Sequence, residues 1–173
     1  LTTNGTLLDE KRMKRLLDTG LHMIDISIDA YHNETYKKVR VGGDLEITKK
    51  NVLKLFELNK KSNGSTKIIV SFVEQEENSN EIELFKKFWN ENGADEVLIR
   101  KLHTNSGSNL NGNNNKEISI KRRPCLYPWE RIVLTAKGNL SFCPTDWFGK
   151  TLITDYRKTN IKDVWSDNFY NDL

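Results

Sequence analysis

The chain has 173 residues, of which 29% are charged, yet the formal net charge is only +3. That length suffices for one ordinary core, or for one core plus a small appendage. Lysine and asparagine are plentiful without forming a concentrated basic face, and no apolar stretch approaches a membrane span, which disfavours a nucleic-acid binder and a membrane-embedded protein alike. The short Lys121-Arg122-Arg123 run reads first as a solvated approach to Pro124.

The opening Leu1-Thr2-Thr3-Asn4-Gly5 reads as the end of a strand. Asp9 can cap a helix that sets Met13, Leu16 and Leu17 on one face and stops at Gly20. Residues 23–29 are predicted as a strand with strict alternation. Ile24, Ile26 and Ile28 point one way, and Asp25, Ser27 and Asp29 the other. A looped region through Gly42-Gly43 leads to a long helix with Val52, Leu55 and Phe56 as its buried stripe. Residues 67–73 form a β-branched, mainly apolar strand. Asn78 with Glu81 resembles a capping box, opening a helix with Ile82, Phe85, Phe88 and Trp89 inward and Gly93 at its end. Another strand is expected over 96–102.

Residues 104–116 turn to Asn, Gly and Ser and read as a linker. Beyond them a strand (131–135), a Lys137-Gly138-Asn139 turn and a return strand (140–142) make a hairpin. A loop through Phe148-Gly149 follows. A closing helix from about Ile161 carries Val164, Trp165 and Phe169 as its apolar positions. The expected division is therefore 1–103, a 104–120 linker, and 121–173.

Repeated βα units imply a parallel sheet, since parallel neighbours need a helical crossover. Open doubly wound sheets and closed or partial barrels both satisfy this α/β pattern. The polar alternation of 25, 27 and 29 favours a barrel-like sheet with a polar interior, because a sheet covered by helices on both faces prefers apolar residues on both. In either architecture ligands gather at the carboxyl ends of the strands. Asn4, Ser27, Asp29 and the residues after Val73 then share one rim.

On residue chemistry alone, that rim suits a small polar ligand. Asn4-Gly5 offers an amide and a close backbone approach. Ser27 and Asp29 offer a hydroxyl and a carboxylate, and Arg40 can hold a carboxylate bidentately. Each has a plainer role as well: a turn, a helix cap, a surface ion pair. Cys125 and Cys143 are the only two cysteines. The hairpin would draw them towards one point, as a metal or cluster needs. Taken alone, the pair reads sooner as small buried hydrophobes. Nothing marks secretion, so a reduced cytoplasmic setting is expected.

Thr3-Asn4-Gly5, Ile26-Ser27-Ile28-Asp29 and Arg40 before Gly42 together resemble the middle of radical S-adenosylmethionine (radical SAM) enzymes. Cys125, Gly138 and Cys143 are similar to the opening of a SPASM domain, with twelve residues between the first pair and four between the second. The resemblance covers nearly the whole chain. It implies a partial (β/α) barrel followed by a small α+β hairpin-helix extension of SPASM type.

By that resemblance, Asn4 lies at the rim near the active site. Ser27 and Arg40 bind the methionyl carboxylate of S-adenosylmethionine, and Asp29 sits by the ribose or substrate. Cys125 and Cys143 are thiolate ligands of an auxiliary [4Fe–4S] cluster, with Pro128-Trp129 and Pro144 shaping its pocket. Trp129, Trp147 and Trp165 read as packing residues. The CxxxCxxC loop that defines the family is absent, as are the later SPASM cysteines. The chain is accordingly expected to be an internal fragment, inactive by itself and without catalytic residues of its own.

The resemblance also implies what the intact parent does. A reduced cluster splits S-adenosylmethionine, and a 5′-deoxyadenosyl radical takes hydrogen from a peptide or small-molecule substrate. A reductant such as flavodoxin or ferredoxin supplies the electron. The competing expectation is a non-enzymatic α/β binding module whose hairpin holds zinc or a structural cysteine pair. Against it, His22, His32 and His103 show no ligand spacing relative to the cysteines.

Overall fold

The computed structural model describes residues 1–62, 64–102, 125–146 and 148–166. It divides into two units, Leu1–Leu102 and His103–Leu173. The 104–120 linker, the basic run before Cys125, Trp147, His103 and Phe169 lie outside the described residues.

In the first unit, β1 (Thr2–Thr3), β2 (Met23–Ser27), β3 (Lys67–Glu74) and β4 (Glu96–Lys101) form one parallel sheet. Their spatial order is the chain order. Each strand returns through helical chain: α1 (Glu10–Asp18), then α2 (Asn33–Val39) with α3 (Leu45–Lys61), then α4 (Ile82–Asn92). Parallel strands added one after another on the same side match an arc of a (β/α) barrel.

Sequence chemistry accounts for most of these boundaries. Asp9 caps α1 by accepting from the Arg12 amide, and Asp44 caps α3 by accepting from the Ile47 amide. Gly93, at φ +106°, ends α4 in the left-handed conformation that glycine adopts without steric cost. The core lies between one sheet face and the helices. Ile24, Ile26, Ile68, Val70 and Phe72 pack there with Met13, Val52, Leu55, Phe85 and Trp89. The opposite face is polar where Asp25, Ser27 and Ser71 stand, as the alternation predicts.

Three local expectations need correction. β2 stops at Ser27, two residues early, because Asp29 adopts φ +65° and turns the chain out of the strand. The expected loop before Gly42-Gly43 contains α2. That helix buries only Tyr36 and its N-cap, His32, makes no side-chain cap, so neither periodicity nor capping announces it. The Asn78–Glu81 capping box does not form. A 3-10 turn (Ser79–Glu81) precedes α4 instead, and both side chains are engaged elsewhere.

The second unit holds α5 (Tyr127–Glu130), the antiparallel β5 (Val133–Leu134) and β6 (Asn139–Ser141), a third strand β7 (Leu152–Asp155) paired to β6, and α6 (Ile161–Trp165). The hairpin turn matches expectation. Gly138 takes φ +85°, and Thr135 closes the turn through backbone and hydroxyl bonds. The sequence reading had only a loop where β7 begins. Leu140 and Val164 form a small core with Ile132, Phe142 and Ile153 against it. No helix among the described residues is long and apolar enough to cross a membrane.

Candidate functional site

The carboxyl end of the sheet begins with the turn after β1. Asn4 is exposed, and its Oδ1 accepts from the Thr6 amide at 3.1 Å. Gly5 is buried at φ +74°, and a Cβ there would stand 3.2 Å from Ile26 Cγ2. The Asn51 amide of α3 donates to the Gly5 and Thr6 carbonyls at 3.0 and 3.1 Å. The helix therefore fixes the turn that presents Asn4.

Asp29 is the hub of the rim. It is 5% exposed, and its Oδ1 accepts from the Val73 amide at 2.7 Å. Its Oδ2 accepts from Arg40 Nε at 2.9 Å and from Arg40 Nη2, an ion pair with the guanidinium partly open to solvent. A guanidinium carries five N–H donors, of which Asp29 takes two along one edge. The edge between the two terminal nitrogens keeps the geometry for a second carboxylate. Arg40 and Asn4 line a common cleft of about 400 Å³ with Thr6, Tyr36, Gly42 and Gly43. Tyr36 is buried, and its hydroxyl lies 3.3 Å from Thr48 Oγ1.

Ser27 stands on the polar sheet face, half-buried, with its Oγ 3.3 Å from Ser71 Oγ. Ser71 spends its single proton on Asp25 Oδ1 at 2.6 Å, so Ser27 is the donor in the serine pair. A hydroxyl pair at that length is loosely held, leaving the Ser27 proton free to turn towards a better acceptor. Arg100 Nη2 reaches Asp25 Oδ2 at 2.7 Å. Burying the Asp25 carboxylate is tolerable because both oxygens have partners.

Behind the rim, Asn78 is fully buried. Its Nδ2 donates to the Asp29 and Val73 carbonyls at 2.8 and 2.9 Å, and its Oδ1 accepts from the Gln75 amide at 2.7 Å. Glu81 accepts from the Tyr31 amide at 2.7 Å, from the His32 amide at 3.0 Å and from the Thr35 hydroxyl. Burial pushes the Glu81 carboxyl up. The hydrogen bonds from Thr35, His32 and Tyr31, with the charge of His32, outweigh it and hold the group below the usual glutamate value.

The structure thus joins Asp29 directly to Arg40 and sets Arg40 beside Asn4 in one cleft. It gives Ser27 a separate network through Ser71, Asp25 and Arg100. Sequence reasoning missed Asn51, Ser71, Asn78, Glu81 and Arg100. Only Asn78 and Glu81 carry a signal, the three-residue spacing of a capping box. On the helical side, a larger groove of about 820 Å³ is lined by lysines and glutamates of α1 and α3 and by Phe88.

In the second unit, Cys125 is exposed just before α5, and Cys143 is half-buried just after β6. Both thiols are free of a disulfide. The α5 turn lies between Cys125 and the hairpin. Cys143 Sγ lies 3.2 Å from Thr145 Oγ1, and its amide donates to Ser141 Oγ at 3.3 Å. The following loop is tied down by Asp146, which accepts from the Thr151 and Phe148 amides. Among the described residues, no three His, Cys, Asp or Glu side chains are grouped to hold a metal ion.

Residues 1–86 match the radical SAM superfamily. A probable GTP 3′,8-cyclase of Methanococcus maripaludis (strain C5) is 36% identical over 94 residues, covering 54% of this chain and 30% of the relative. A GTP 3′,8-cyclase of Clostridium perfringens is 31% identical over 118 residues, covering 68% of this chain and 35% of the relative. A probable GTP 3′,8-cyclase of Methanocaldococcus jannaschii is 46% identical over 46 residues, covering 27% and 15%. The chain spans about a third of the length of the first two. No solved structure matches it.

Proposed function

We propose, from the premise that residues 1–86 belong to the radical SAM superfamily, that this chain is part of an enzyme that binds S-adenosylmethionine at the Asn4–Arg40 rim. The superfamily uses S-adenosylmethionine and a [4Fe–4S] cluster. When bound, these would supply the hard chemistry, reductive radical generation for hydrogen abstraction from a substrate. The residues of this chain bind and orient.

The observation that carries the reading is the state of Arg40, whose side chain is held by Asp29 along one edge and opens on the Asn4 cleft. A cation fixed in this way meets a carboxylate without first being ordered. Ser27 adds a hydroxyl that gives up only a long bond to reach the same ligand. Asp29 then acts through Arg40, and its own carboxylate is already fully engaged. The donor set therefore fits the methionyl carboxylate of S-adenosylmethionine.

For the second unit, the Cys125–Gly138–Cys143 pattern on a hairpin supports a SPASM-type auxiliary cluster, with residues 121–173 as its start and 104–120 as a linker. These two thiolates can supply only half of a four-cysteine cluster. The substrate is a peptide or small molecule and the reductant a flavodoxin or ferredoxin, in a cytoplasmic setting. A nucleotide substrate is the second reading, favoured because the relatives carry the name GTP 3′,8-cyclase. The non-enzymatic binding module is the weaker alternative, since residues 1–86 match a superfamily of enzymes.

Anaerobic iron–sulfide reconstitution of the full-length protein tests the proposal. Broad iron–sulfur absorption, with release of 5′-deoxyadenosine on dithionite reduction, is expected. Serine at both Cys125 and Cys143 is expected to lower the iron content without abolishing S-adenosylmethionine cleavage. Bound zinc with no iron–sulfur absorption would favour the binding module.

A further inference from the structure

Two buried polar residues absorbed neither by the core nor by the ligand-facing rim, Asn78 and Glu81, reach across to the loop that follows β2. Asn78 bridges the Asp29 and Val73 carbonyls from a fully buried position. Those two residues are also joined by the Asp29 carboxylate on the Val73 amide. Asn78 therefore braces Asp29 from the backbone side while Arg40 draws on its side chain.

Glu81 acts on the other end of the same segment. The N-cap of α2, His32, makes no side-chain cap of its own. Glu81 reaches this end from a different element, accepting the Tyr31 and His32 amides just before α2 and the hydroxyl of Thr35 in its first turn. A carboxylate at a helix N-terminus also opposes the positive end of the peptide dipoles. Arg40 is the C-cap of that helix. The segment from Asp29 to Arg40 is thus pinned at its start by Asn78, at the start of its helix by Glu81, and closed on itself by the Asp29–Arg40 pair.

Asp29 pays a backbone cost in this arrangement. It is the only non-glycine residue at positive φ among the described residues, where L side chains are disfavoured. Strain of that kind persists only when its surroundings over-determine it. Asn78 and the Val73 amide supply that determination.

We infer that Asn78 and Glu81 are positioning residues for the S-adenosylmethionine carboxylate, setting the direction of the Arg40 guanidinium through Asp29 and α2. This inference rests on the reading of Arg40 given under Proposed function. Neither residue touches the ligand.

The test uses the reconstituted full-length enzyme with S-adenosylmethionine itself as the probe. Glu81→Gln preserves shape but replaces one acceptor oxygen with a donor, and Thr35→Val removes a single hydroxyl donor. Glu81→Gln is expected to raise KM for S-adenosylmethionine about tenfold, with kcat at saturation changed less, and Thr35→Val to do the same more weakly. Leu58→Ala is the control. It opens the core at the far end of α3, away from the rim, and should lower thermal stability while leaving KM unchanged. A Glu81→Gln enzyme that loses stability but keeps its KM would overturn the inference alone. A wild-type enzyme that binds no S-adenosylmethionine would overturn the underlying reading as well.

Discussion

Replacing Asp29 isolates what the rim requires of one residue. Alanine there removes three things together. The Val73 amide loses its acceptor, which costs about 1–3 kcal/mol for a buried donor. A Cβ without a compensating polar side chain is left at φ +65°, costing about 1 kcal/mol. Arg40 loses its partner, a smaller effect of about 0.5 kcal/mol because that guanidinium is partly solvated. Asp29→Ala is therefore expected to destabilise the first unit by about 3 kcal/mol. Asp29→Asn keeps both an acceptor for Val73 and a tolerance of the left-handed region, and should lose about 1 kcal/mol. Asp29→Gly escapes the steric strain and should fall between them. Amide exchange of the β3 residues in urea reports on this unit without interference from the second. The order wild type, Asn, Gly, Ala is expected, with the Val73 amide losing protection in the last two. Equal loss in Gly and Ala, or Asn as damaging as Ala, would refute the reasoning.

Gly5→Ala should destabilise the first unit by about 1–2 kcal/mol, since it adds both a positive-φ penalty and a 3.2 Å approach to Ile26; a neutral thermal shift would contradict the turn geometry. Glu81 gives a signed pH dependence. Its folded carboxyl is held below the ordinary value of 4.5, so its stabilising contribution is full above 4.5 and is lost as the pH falls through the lowered folded value. The stability gap between wild type and Glu81→Gln, followed by denaturant midpoint, should hold steady at neutral pH and close in acid. A gap that widens in acid would mean the wrong sign.

Much of the first unit can be read from residues in order. Strict alternation marks β2 and an apolar β-branched run marks β3, while Asp9 and Gly93 punctuate the helices, because these signals are local. What escapes is tertiary. The entry to α2 is held by Glu81, almost fifty positions away in sequence, so no nearby residue could reveal it. Asn78 and Glu81 carry the spacing of a local cap and spend their hydrogen bonds at long range instead. Likewise Ser71 looks like an interruption in an apolar strand until the register sets it beside Ser27 and within reach of Asp25. In the candidate site, residue chemistry singled out Asn4, Ser27, Asp29 and Arg40, and the structure gathers Asn4 and Arg40 around one cleft. The direct pairing of Asp29 with Arg40 was not legible, since it depends on the left-handed turn at Asp29. β7 was missed because four residues are too few to show a period.

The affinity of the reconstituted full-length enzyme for S-adenosylmethionine, measured by calorimetry for wild type, Arg40→Ala and Ser27→Ala, tests the central claim most directly. Wild type is expected to bind, Arg40→Ala to lose about tenfold or more through the missing charge-assisted bonds, and Ser27→Ala to lose less. Undiminished affinity in Arg40→Ala would contradict the assignment of the Asn4–Arg40 rim as the S-adenosylmethionine site.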